Sequence, residues 1–172
     1  MACSLARTMQ IMQALIDSLI VPQCVYRPGS FTGLMTLYES NYIKLVSLIE
    51  PLAERRPKRL DGGVSVSPDD CDLHLKPVSS EPYTTTIKLT YWFDGEEGEP
   101  VADPDLMIRV YHDARLVEAV RATDAHYHHK LRELAAQEAA ALHSLELDRR
   151  WRNNIMLNKW LDYLLDMGHK FR

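Results

Sequence analysis

The densest chemical grouping in the chain is Ile108-Arg109-Val110-Tyr111-His112-Asp113-Ala114-Arg115, which brings a phenol, an imidazole, a carboxylate and two guanidinium groups to one hairpin. Such a set can do acid-base work or clamp an anion. A histidine base needs a partner that orients it, and Asp113 follows His112 directly. Neighbours on a strand point to opposite faces, however, so adjacency alone does not make them a hydrogen-bonded pair. At a tight turn an aspartate also has a structural task, accepting backbone N–H groups in an Asx-turn. The hairpin therefore carries two readings, a structural turn and a functional site with His112 and Asp113 as its catalytic candidates.

Other polar stretches are weaker. Ser80-Glu81-Pro82-Tyr83-Thr84-Thr85-Thr86 opens a long strand. Hydroxyls at alternate positions can line a polar pocket, but threonine is also a good strand residue. No base is placed beside these hydroxyls by spacing, so a serine or threonine nucleophile has little support. His126-Tyr127-His128-His129 resembles a metal tract, yet only His126 and His129 fall at helical spacing and no H-E-x-x-H or facing carboxylate completes it. Six carboxylates lie between Asp94 and Asp105, without the spacing that wraps a calcium ion, and read as a solvated hairpin loop. Glycine-rich phosphate loops, G-x-S-x-G elbows and paired glycosidase carboxylates are absent. No metal and no cofactor is predicted.

The elements that must position these residues follow from periodicity. Leu5, Met9, Met12, Ile16 and Leu19 recur at helical spacing up to Pro22. This stretch predicts a helical extension over residues 1–25, ahead of a single α+β domain over 26–172. A second helix is predicted from Thr32, as N-cap, to Glu50, with Leu34, Leu37, Tyr38, Leu45, Leu48 and Ile49 on one face and Pro51 closing it. The charged run Arg55-Arg56-Pro57-Lys58-Arg59 reads as a solvated linker. From Val64 to about Ala122 the period changes to two. Strands are predicted at Val64–Val66, around Leu73 and Leu75, at Thr84–Phe93, around Leu106, Ile108 and Val110, and at Leu116–Val120. Helical pattern returns at Lys130–Leu147 and at Arg149–Met167, where Gly168 is a natural C′ residue. The predicted fold class is α+β, an antiparallel β-meander of four to five strands flanked by N-terminal and C-terminal helices packed on one face.

Composition bounds the rest. The 172 residues are 46% hydrophobic and 26% charged, ordinary for a chain that folds around one core. A net charge of -4 provides no global positive field for phosphate backbones, so nucleic acid is not an expected partner. No apolar run approaches the roughly 18 residues that span a bilayer, so no membrane partner is expected either. The three cysteines, Cys3, Cys24 and Cys71, are odd in number and widely separated, which predicts reduced thiols and a cytoplasmic location.

Four ordered stretches carry a family resemblance. Glu39-Ser40-Asn41-Tyr42 with Leu45 and Pro51, Pro82-Tyr83-Thr84-Thr85, Val110-Tyr111-His112-Asp113-Ala114-Arg115 with Glu118, and Asn154, Leu157, Trp160, Leu161, Leu164 and Gly168 together resemble the YqiB-like family of bacterial domains of unknown function. An alanine-rich insert replaces that family's Y-P-N and M-H-Q-x-D-E-K run, of which only Asp148 matches, and the first 25 residues lie outside the resemblance. It implies a cytosolic bacterial protein of mixed α and β structure with no established activity, substrate or cofactor. A dehydrogenase label borne by some members finds no dinucleotide fingerprint here.

The leading functional expectation is a non-enzymatic binding or regulatory module that recognises a small anionic ligand or a protein partner. Its expected binding residues are Glu39, Asn41, Tyr42, Tyr83, Thr85, Tyr111, His112, Asp113 and Arg115. The rival from another class is a small hydrolase or transferase built on the Tyr-His-Asp hairpin. A third is a structural homodimer through the N-terminal helix.

Overall fold

The computed structural model describes residues 30–54, 60–95, 99–121 and 146–172. The predicted helix over the first 25 residues, the basic linker, the His126–His129 tract and most of the alanine-rich helix lie outside these.

Helix α1, Phe31–Leu48, starts two residues earlier than an N-cap at Thr32 predicts. Ser30, in extended conformation, takes the N-cap because its Oγ accepts the Gly33 N–H at 3.1 Å. At the other end Pro51 cannot donate to the helix ladder, and the chain tightens into a 3-10 turn over Glu50–Ala53. Helix α2, Glu146–Asp166, ends as its sequence predicts. Gly168 adopts φ +77, and the N–H groups of Gly168 and His169 turn back to the carbonyls of Leu165 and Leu164. This is the Schellman closure that a Cβ would strain.

Between the helices run β1 (Gly63–Ser65), β2 (Leu73–Ser80), β3 (Thr84–Asp94), β4 (Pro100–Tyr111) and β5 (Leu116–Arg121). They form one antiparallel meander in the order β1-β2-β3-β4-β5. Strand β4 is longer than predicted. Its first half, with Pro100, Asp103 and Pro104, lacks strand-like composition, but the prolines sit where a sheet tolerates them. Pro100 is the first residue, and Pro104 lies in the bulge where pairing shifts from Leu89↔Leu106 to Tyr91↔Asp103. The acidic stretch divides: its first part joins β3 to β4, whereas Asp103, buried, and Asp105, paired with Lys88 at 2.8 Å, belong to β4, which corrects the reading of all six carboxylates as a solvated loop. Gly95 is required there, because a Cβ would stand 2.6 Å from the Glu99 carbonyl oxygen.

One face of the sheet, Leu73, Leu75, Ile87, Leu89, Leu106, Ile108, Val110, Val117 and Ala119, packs on Leu45, Leu48, Leu157, Leu161 and Leu164 of the helices. The N-terminal turns of both helices reach past the β5 edge. There Leu34, Tyr38 and Trp151 form a second apolar cluster with Leu116, which alternates to the opposite face from Val117. At the edge itself Asn154 Oδ1 accepts the outward Ala119 N–H at 2.8 Å, so α2 satisfies a strand edge otherwise open to pairing.

Cys71 is disulfide-bonded, which corrects the expectation of reduced thiols. The spacing of cysteines along a chain does not limit which of them the fold brings together. Cys3 and Cys24 lie outside the described residues.

Candidate functional site

The β4–β5 hairpin sorts its side chains onto opposite faces. Tyr111 pairs with Leu116 and belongs to the second face, while His112, just beyond the strand, turns to the helix side. His112 is 3% exposed, and its Nε2 meets Thr85 Oγ1 at 2.8 Å. Burial lowers its pKa, against the opposing pull of the Asp113 charge, which keeps the ring neutral. The other nitrogen, Nδ1, is buried with no hydrogen-bond partner among the described residues. Asp113 is exposed, and its Oδ1 accepts the Ala114 N–H at 2.9 Å. Its carboxylate thus serves the backbone of the turn, one residue on and not the two of an Asx-turn. His112 and Asp113 thus diverge, and no oriented base forms between them.

Glu118 organises the second face instead. It lies opposite Arg109 in the β4–β5 register and next to Tyr111 on the diagonal, and only 7% of it is exposed. Tyr111 donates its hydroxyl to Oε1 at 2.7 Å, and Tyr38, arriving from α1 around the β5 edge, donates to Oε2 at 3.1 Å. The Arg109 guanidinium stands 3.9 Å from Oε1, and that of Arg150, on α2, 3.4 Å from Oε2. Burial and then the Glu118 charge push the Tyr38 phenol up to about 12, with Arg150 pulling the other way. Tyr111 is raised by burial and by its hydrogen bond to Glu118, opposed by Arg109. Both phenols therefore remain donors across the physiological range. One buried carboxylate faces two guanidinium groups. The arginine side chains are 40% and 50% exposed.

The remaining expected residues separate. Asn41 is fully buried between the helices, its Nδ2 donating to Asn154 Oδ1 at 3.2 Å and its Oδ1 accepting from Asn158 Nδ2 at 2.8 Å. Lys44 continues this seam, reaching Asn158 Oδ1 at 2.7 Å and Asp162 Oδ2 at 2.6 Å. Tyr42 packs against the main core, Glu39 is exposed, and Tyr83 is exposed at the strand entry. Arg115 is exposed and left-handed, with φ 53. Glycine adopts that region without the Cβ clash that an L-residue meets. Arg115→Gly is therefore expected to leave the fold intact and raise stability by up to about 1 kcal/mol, read from chemical denaturation.

Only Tyr111 of the expected set belongs to the Glu118 cluster. Arg109 and Glu118 were legible as cross-strand neighbours once the hairpin register was drawn. Tyr38 and Arg150 carry no sequence signal for this role, because the turn of the helices around the β5 edge brings them in.

A second polar cluster has the residue types of a hydrolytic triad. His169 Nδ1 meets Ser65 Oγ at 3.1 Å and Nε2 meets Asp70 Oδ2 at 3.2 Å. Ser65 Oγ also accepts the Lys170 N–H at 3.0 Å, and Tyr91 donates to Asp70 at 2.7 Å. The His169 and Asp70 side chains are 0% and 1% exposed, so no substrate reaches them. Burial raises the Asp70 pKa, but hydrogen bonds from His169, Tyr91 and the Cys71 backbone outweigh it and hold the carboxyl below its ordinary value. An ionised Asp70 requires an N–H at His169 Nε2. In the neutral ring Nδ1 then accepts the Ser65 hydroxyl, as a base facing a nucleophilic serine does, so it is burial and not the direction of the bonds that denies the set a substrate. The cluster ties the segment after α2 to β1 and the β1–β2 loop. Among the described residues no group of three or more His, Cys, Asp or Glu is placed to hold a metal ion.

A family model described as protein of unknown function (DUF1249) matches residues 44–170. No curated protein and no solved structure matches the chain.

Proposed function

The chain belongs to the DUF1249 family of proteins of unknown function, and on its own geometry we propose that it is a non-enzymatic binding module. Its Glu118-centred cluster takes a small anionic ligand. The observation that supports this reading is the pair of half-exposed guanidinium groups set beside one buried carboxylate. Glu118 stands beside Arg109 and Arg150, and the 40% exposed guanidinium of Arg109 suits the oxygens of a carboxylate or phosphate.

The divergence of His112 and Asp113 favours binding over the hydrolase or transferase reading. A cytoplasmic bacterial setting is supported by the YqiB-like motifs. No helix among the described residues is long and apolar enough to cross a membrane.

The test is isothermal titration with acetate and inorganic phosphate at low ionic strength, where exposed charges are least screened. Saturable binding is expected, weakened about tenfold or more by Arg109→Ala and by Arg150→Ala. Circular dichroism confirms that both variants are folded. Absence of binding, or wild-type affinity in both variants, overturns the reading. If neither anion binds while a protein co-purifies with the wild-type chain and is lost from Arg109→Ala, the cluster is a protein-docking surface instead.

A further inference from the structure

We infer that the open edge of strand β1 pairs with β1 of a second copy of this chain, antiparallel and two-fold symmetric about Val64. This surface is independent of the Glu118 cluster. The two edges of the sheet differ: at β5 the Asn154 amide of α2 takes the outward side, whereas β1 has no strand beyond it. A Cβ on Gly62 would stand 3.0 Å from the Leu75 carbonyl oxygen, so that oxygen points toward β1. Hydrogen-bonding direction alternates along an antiparallel pair. Gly63↔Leu75 and Ser65↔Leu73 therefore bond inward, and the N–H and C=O of Val64 between them point out of the sheet. Neither has a hydrogen-bond partner among the described residues.

The side chains fit the same mate. Val64 is 51% and Val66 72% exposed, and Val64 lies beside His74, whose ring stands edge-on to the half-exposed Trp92 at 6.5 Å. This apolar strip lies on the face turned away from the helices and runs up to the open edge. In a pairing centred on Val64 the two Val64 side chains adjoin, and each Val66 falls opposite the other copy's Gly62, which has no side chain to block it. Charge favours a second copy over an unrelated strand. The basic run Arg55-Arg56-Pro57-Lys58-Arg59 precedes β1 in the sequence, and the exposed Asp69 and Asp72 follow it. Antiparallel pairing sets the stretch before one β1 against the stretch after the other, basic against acidic. Each copy contributes its β1 edge while α2 takes its β5 edge, so the assembly closes at two chains. Three residues make a short edge, so the association is weak.

Sedimentation equilibrium of the full chain is expected to show the mass rising from one copy toward two between about 1 μM and 1 mM. Over the same range hydrogen exchange of the Val64 amide is expected to slow, because its N–H is free in the single chain and bonded in the pair. Val64→Lys sets two like charges together at the two-fold axis. Val64→Pro removes the outward donor while the inward bonds of Gly63 and Ser65 remain. Each is expected to weaken association about tenfold or more, with circular dichroism showing the fold retained. Ile43→Lys, at a 66% exposed position on α1, is expected to leave association unchanged. A chain that stays single throughout, or a Val64 amide that does not slow, overturns the inference. So does a dimer that forms as well in both Val64 variants, or one that Ile43→Lys weakens to the same extent.

Discussion

Asn154→Ala is expected to destabilise the fold by about 3 kcal/mol or more, measured as a shift of the urea midpoint at constant slope. Asn154 is fully buried and uses both ends of its amide. Oδ1 accepts the outward N–H of Ala119 at 2.8 Å and the Asn41 Nδ2 at 3.2 Å, and Nδ2 donates to the Arg150 carbonyl at 2.8 Å. Truncation strands two buried donors where water cannot replace the lost acceptor. Each such group costs about 1–3 kcal/mol. Asn154→Leu separates this from cavity formation. It restores volume without an acceptor and is expected to recover little of the loss. If leucine returns the protein to wild-type stability, the seam is held by packing and the hydrogen-bond account of the β5 edge is wrong.

Asp70→Ala is expected to have an effect of similar or greater size, about 3–5 kcal/mol, because it removes one partner of a buried polar pair and leaves His169 and Tyr91 facing a void. The same site predicts a pH dependence of definite sign. The folded-state pKa of Asp70 is depressed, so its contribution to stability is complete above the unfolded value of about 4. It is lost as the pH falls through the lower folded value, where the folded protein takes up its proton later than the unfolded chain. Wild-type stability measured against pH should fall below about pH 4, and Asp70→Asn should show a shallower acid limb. An unchanged acid limb in Asp70→Asn would place the acid sensitivity elsewhere.

The two variants probe different joints of one scaffold. The Asn41, Lys44, Asn154 and Asn158 seam clamps α1 to α2 and α2 to the β5 edge, and thereby sets Tyr38 and Arg150 over Glu118. The Ser65, Asp70 and His169 cluster works at the far end of the molecule. There the segment after α2 also bonds to α1, through Phe171 N–H to the Leu48 carbonyl and the Glu50 N–H to the Phe171 carbonyl. Disruption of the first joint is expected to impair anion binding as well as stability. Disruption of the second affects stability alone.

Local signals along the chain determined the element types, their order and the antiparallel meander. Alternation at Ile87, Leu89 and Tyr91 against Leu106, Ile108 and Val110 marks strands, and the proline and glycine at Pro51 and Gly168 mark helix ends. The charged, half-buried hairpin with Arg109, Tyr111 and Glu118 was within reach of the same logic, because cross-strand pairing follows from the turn. Only the tertiary structure decided which polar residues became functional candidates and which became supports. Tyr38 meets Glu118 across 80 residues, Asn41 meets Asn154 across 113, and His169 meets Ser65 across 104. Periodicity reports whether a side chain faces a core or solvent. It carries no information on which distant polar group stands opposite, since that depends on how the helices cross the β5 edge. For this reason Asn41, read from the sequence as a binding residue, lies sealed between two helices, and Arg150, which gave no signal, stands beside the carboxylate that organises the site.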